Sequence, residues 1–75
     1  MRILKTVDGW CASGNTFEED DLIEYLFDIL KMAGFYVRMN YVGDYCITSN
    51  LLRDKAYLDM LFAALKKQSA TPYYS

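Results

Sequence analysis

Two thiols and a run of carboxylates are the side chains of this sequence whose types and spacing suit chemistry. Cys11 and Cys46 stand 35 residues apart, and Glu18, Glu19, Asp20 and Asp21 lead into Glu24 and Asp28. A pair of thiols can work as a redox couple, but two thiolates cannot close a four-ligand structural zinc site within one chain. The sequence contains no histidine. That removes imidazole acid–base catalysis, Ser-His and Cys-His nucleophile pairs, and His-containing metal sites. No glycine-rich phosphate loop is present. The carboxylates gather at one helix start instead of facing one another as an acid and a base. The expectation is a non-catalytic protein with no cofactor and no metal.

The elements that position these groups follow from an internal repeat. Sliding the chain by 35 residues superposes Val7-Asp8-Gly9-Trp10-Cys11 on Val42-Gly43-Asp44-Tyr45-Cys46, and Leu26-Phe27 on Leu61-Phe62. Residues 2–33 and 37–68 share seven identities over 32 ungapped columns, where average residue usage gives roughly two. Each unit opens with a hairpin. Asp8-Gly9 joins Arg2–Val7 to Trp10–Ser13, and Gly43-Asp44 joins Tyr36–Val42 to Tyr45–Thr48; both are two-residue turn pairs. A helix follows each hairpin. Thr16 with Glu19 has the spacing of a capping box, Glu18–Asp21 suit the positive end of the helix dipole, and Gly34 supplies the stop. Ser49 or Asn50 caps the second helix, which runs toward Lys66, Lys67 and Gln68. Ile23, Leu26, Phe27 and Leu30, repeated as Leu58, Leu61, Phe62 and Leu65, fall at i, i+3, i+4 and i+7 and form the core stripe.

The fold expected is therefore α+β: a duplicated ββα unit in the order ββαββα, with a four-stranded, mainly antiparallel sheet and two helices on one face. Residues 1–75 make a single domain, with an irregular tail over 69–75. At 75 residues the core is thin, since a chain of this size buries only about 60% of its unfolded surface. An apolar content of 53% and a net charge of −2 argue against disorder. No segment approaches the roughly 20 apolar residues of a membrane span, and no secretory signal stands at the start, so the chain reads as cytoplasmic and free of the membrane.

Two-residue turns set the sheet faces. They place Val7 opposite Trp10 and Val42 opposite Tyr45, so that Trp10, Tyr45, Lys5, Arg38 and Asn40 share one face with Ile3, Val7, Val42 and Ile47. With its charges, that face is assigned to solvent, and the cysteine face to the helices. Cys11 and Cys46 then read as small buried hydrophobes, with a disulfide disfavoured in a reducing cytosol and a redox pair as the alternative. The exposed aromatic face would anchor a protein partner or a second copy. The alternative is stacking of single-stranded nucleic acid, and the third outcome is that the rings merely pack. Duplex DNA is disfavoured for want of a basic cluster.

A second surface lies on the helices, where Leu22, Tyr25 and Ile29, with Tyr57, Met60 and Ala64, either fill the seam between them or form a partner groove. Glu18, Glu19, Asp20, Asp21, Glu24 and Asp28 form an acidic ridge beside it, suited to a basic site on a partner. Residues 1–33 carry seven acids and three bases, residues 34–75 three acids and five bases, an asymmetry that favours association. The function expected is a protein–protein interaction module, an adaptor or an inhibitor of a macromolecular partner, with phage-type inhibitors as a class analogy.

Overall fold

A computed structural model describes the backbone of residues 1–70; of the expected tail, residues 71–75 lie outside the described residues. The elements run β1 (Arg2–Lys5), β2 (Gly9–Ser13), α1 (Phe17–Met32), β3 (Tyr36–Met39), β4 (Tyr45–Thr48) and α2 (Leu52–Ala70). The fold is α+β, with one four-stranded antiparallel sheet in the order β1-β2-β4-β3. Ser69 and Ala70 continue α2 instead of opening the tail.

Local chemistry sets the limits of α1. Thr16 caps it in extended geometry, its hydroxyl accepting from the Glu19 N–H at 3.2 Å. Glu19 reaches back to the Asn15 N–H at 2.8 Å, one residue earlier than a capping box would have it. At the far end Gly34 takes φ 103°, the Phe35 N–H bonds to the Leu30 carbonyl and the Gly34 N–H to that of Lys31. This is a Schellman stop, and it needs a residue free to enter the left-handed region. Before α2, the Ser49 hydroxyl accepts from the Leu51 N–H.

The two central strands pair in a symmetric register. Cys11 lies opposite Cys46, Trp10 opposite Ile47 and Ala12 opposite Tyr45. Ile47 stands where Ala12 stands in the repeat, and Tyr45 where Trp10 stands. A local twofold axis therefore passes between the cysteines, whose sulfurs are joined in a disulfide with Cα atoms 4.1 Å apart. The two cysteines are not separate buried thiols: the antiparallel β2–β4 register sets them directly opposite each other, and they are bonded. Gly9 belongs to β2, where it pairs with Thr48, and a Cβ there would strike the Ile47 carbonyl.

Both hairpin loops are longer than two residues, and this reverses the faces assigned from sequence. In the first, Lys5 pairs with Trp10 and the Thr6 N–H donates to the Gly9 carbonyl, so that residues 6–8 form a three-residue loop between β1 and β2. The shift from the expected pairing is even, so Ile3, Lys5, Trp10 and Ala12 still share a face. In the second, Met39 pairs with Tyr45, leaving a five-residue loop in which Gly43 has φ 93°. That shift is odd, and an odd slip turns every side chain of a strand over. Val37 and Met39 therefore join Tyr45 and Ile47, while Arg38 lies beside Cys46.

The row Lys5–Trp10–Ile47–Val37 and the row Ile3–Ala12–Tyr45–Met39 face the helices. Trp10 is 7% exposed and Ile47 fully buried. Above them an aromatic chain crosses the twofold. Trp10 stacks on Phe62 at 5.7 Å, Phe62 meets Phe27 at 5.7 Å, and Phe27 meets Tyr45 at 5.6 Å. Trp10 and Phe27 of the first hairpin–helix segment thus rest on Phe62 and Tyr45 of the second. Ile23, Leu30 and Leu58 complete the buried set, with Leu26, Leu61 and Leu65 packed beside it.

The disulfide closes a loop of 35 residues. Chain-entropy reasoning puts its contribution at about 3–4 kcal/mol, a large share of the ~5–15 kcal/mol typical of a domain. Urea unfolding with and without a reductant should differ by about this amount, and Cys11→Ser with Cys46→Ser should match the reduced protein.

Candidate functional site

The aromatic pair does not lie on an open sheet face. Trp10 and Tyr45 are on the covered side, and Trp10 is tied down from two elements, β1 and α2. Its indole N–H donates to Asp59 Oδ1 at 2.9 Å. Lys5 lies 3.6 Å from the same carboxylate and 5.6 Å from the centre of the indole ring. A buried indole N–H needs an acceptor, and α2 supplies it. The Lys5 charge that argued for a solvated face instead reaches out from the edge of the core, its stem covering apolar surface. Tyr45 has its phenol pushed above the ordinary value by burial first, and then by Glu24, Asp28 and Asp20. Asn40 is not a face residue but a loop clasp: its side-chain oxygen accepts from the Val42 and Asp44 N–H groups. Of the five residues expected to act together, the structure keeps only Lys5, Trp10 and Tyr45 on one side.

The side of the sheet away from the helices carries the row Leu4–Cys11–Cys46–Arg38. At its end Asp44 is buried at 7% exposure. It accepts from Arg2 at 2.8 Å and from Asn40 at 3.4 Å. Burial pushes the Asp44 carboxyl up, but the hydrogen bonds from Arg2 and Asn40 outweigh it and hold the group below its ordinary value. Sequence reasoning missed this residue as a structural group, since it read Gly43-Asp44 as the turn itself.

The acidic ridge divides by role. Glu19 pairs with the Met1 amino group at 2.9 Å; that contact and the Asn15 N–H hold its carboxyl below the ordinary value. Asp20 accepts from the Gly14 N–H. These two serve the start of α1. Glu18, Asp21, Glu24 and Asp28 are exposed along the helix. Among the described residues no three acidic, cysteine or histidine side chains group as a metal site. A cleft of about 350 Å³ beside the start of α2 is bordered by Tyr36, Ser49, Asn50 and Asp54. The Ser49 hydroxyl there is engaged, accepting from the Leu51 N–H.

What remains is the outer surface of the helix layer. The helices run antiparallel: Glu19 and Leu22 near the start of α1 border a 250 Å³ cleft with Leu65 and Gln68 near the end of α2, while Phe35 beyond α1 stacks on Tyr57. Each helix packs chiefly on the sheet, so the seam does not swallow its flanking residues. Leu22, Tyr25, Ile29 and Met32 of α1 and Tyr57 and Met60 of α2 are 45–86% exposed. At spacings of three and four residues, those of α1 form one continuous stripe. An exposed apolar stripe with a charged margin is the usual mark of a macromolecular contact surface. Among the described residues no helix is long and apolar enough to cross a membrane.

Compared with known proteins, the chain matches no family profile, no curated sequence and no solved structure.

Two outcomes test the polar groups. Asp59→Ala strands the Trp10 N–H in the core, with an expected loss of about 1–3 kcal/mol in urea unfolding followed by Trp10 fluorescence. Asp44→Asn should cost about 1–2 kcal/mol at neutral pH. Because the Asp44 carboxyl is lowered on folding, its contribution is complete above the ordinary value of 3.8 and disappears as pH falls through the lowered one. The wild type and the Asn variant should therefore converge in stability in acid.

Proposed function

We propose that this protein is a non-catalytic protein–protein interaction module, an adaptor or inhibitor whose contact surface is the outer face of the helix layer. The observation that carries the proposal is the stripe of Leu22, Tyr25, Ile29 and Met32, continued by Tyr57 and Met60, gathered in solvent on one outer face of the helix layer. Folding asks only for the inner stripe of Ile23, Phe27 and Leu30; a second apolar stripe left in water adds nothing to folding, whereas covering it would stabilise a complex by about 25 cal/mol per Å². Tyr and Met suit contact surfaces, the first as an anchor and the second as an adaptable filler. Glu18, Asp21 and Asp28 margin the stripe and suit a partner with basic residues at its rim.

The two halves are proposed to be copies of one ββα unit. The symmetric β2–β4 register and the symmetric aromatic chain support this. A single-stranded nucleic-acid platform would need Trp10 and Tyr45 in solvent, and both lie beneath the helices. The Cys11–Cys46 bond favours an oxidising surrounding over the reducing cytosol expected from composition.

A photo-crosslinking residue at Tyr25 should form protein adducts in the source cell, and one at Arg38 on the opposite side of the molecule should not. Adducts at Arg38 alone would move the contact surface to the sheet and overturn the proposal.

A further inference from the structure

We infer that the occupant of the helix face is a second copy of this chain, docked so that α1 of each copy lies on α2 of the other. This rests on reading the helix layer as the contact surface. Charge selects the arrangement. α1 carries six acids against one base, and α2 four bases against two acids. Two faces that each hold one helix of either kind can meet about a twofold axis in two ways. If the axis crosses the helices, α1 meets α1 antiparallel and the exposed Asp21 of each copy opposes Asp28 of the other, which is repulsive. If the axis runs along the helices, α1 meets α2 and the acidic margin faces the helix that bears Arg53 and Lys67. Like-charge apposition penalises the first and complementarity favours the second.

The geometry also suits a closed pair. An axis parallel to the helices keeps their directions, so α1 stays antiparallel to the α2 it meets. The start of α1, with Glu18 and Asp21, then lies toward the end of α2, with Lys66 and Lys67, and Asp28 lies toward Arg53. Apolar residues fill the middle: Tyr25 and Ile29 on one side, Tyr57, Met60 and Ala64 on the other. Helices of 16 and 19 residues are about 24 and 28 Å long and about 10 Å wide. Side by side they offer roughly 500 Å² per copy and roughly 1,000 Å² per pair, at the lower bound for a specific interface. The association is accordingly reversible and concentration-dependent, and its electrostatic part weakens with salt.

Sedimentation of the full chain over a range of concentrations and at low and high salt tests this. The expected result is a monomer–dimer equilibrium that weakens with salt and is lost in Met60→Glu and in Tyr25→Glu, both at positions about two-thirds exposed and both checked for an unchanged circular dichroism spectrum. Reversing one margin, with Asp21→Lys and Asp28→Lys, should weaken the dimer about tenfold or more. Reversing both margins in one chain, by adding Arg53→Glu and Lys67→Glu, should restore it. An α1-on-α1 pair would instead gain nothing from the second reversal, and that result overturns the proposal. A protein that stays monomeric at every concentration also overturns it, and crosslinking at Tyr25 then separates the two levels: adducts to a different protein preserve the interaction module and exclude the second copy, while no adducts remove both.

Discussion

The pairing of β2 with β4 fixes everything else in this molecule. Cys11 opposite Cys46 locks one register, and in that register Trp10 and Tyr45 point to the same side. A slip of one residue would send one of them to the far face, part the sulfurs, and leave Phe62 or Phe27 without its ring partner. The disulfide and the aromatic chain therefore enforce the same alignment from opposite sides of the sheet. Gly9 shows how tight that alignment is, since β4 backbone occupies the space a side chain would need.

Because the helices pack across the twofold, cohesion is shared between the halves instead of residing in each. Phe62 belongs to the second unit yet rests on Trp10 of the first; Phe27 belongs to the first and rests on Tyr45 of the second. Asp59 repeats the logic in polar form by holding the indole N–H from the opposite unit. A small domain that cannot build a thick core gains by making its few large residues serve both halves. The outer stripe of the helices stands apart from this economy: it serves neither half.

Much of this was legible in the sequence, and what was not has a definite cause. Helical periodicity found Ile23, Phe27, Leu30, Leu58 and Phe62, all buried, and Thr16 and Gly34 found both ends of α1. Strand faces failed because they hang on loop length. Asp8-Gly9 resembles a tight turn, but its glycine answers to a close strand approach, and Gly43-Asp44 sits within a five-residue loop clasped by Asn40. An even error left the first hairpin's faces intact, and an odd one overturned the second's. Lys5 completed the misassignment, since a lysine at a sheet edge can lie over an indole with its charge still reaching an acid. The exposed helix stripe was visible as a pattern; whether it filled the seam depended on helix spacing, which no local signal carries.

The disulfide also fixes how the protein carries load. A pull applied before β1 and after α2 passes along the chain to Cys11, crosses the sulfur bridge to Cys46, and leaves through β4 and α2. The intervening span over residues 12–45, which includes α1 and β3, lies outside that path and adds no length when the ends are drawn apart. Under tension the molecule behaves as a short covalent strap with a shielded loop, and α1 with its exposed stripe escapes direct stretching.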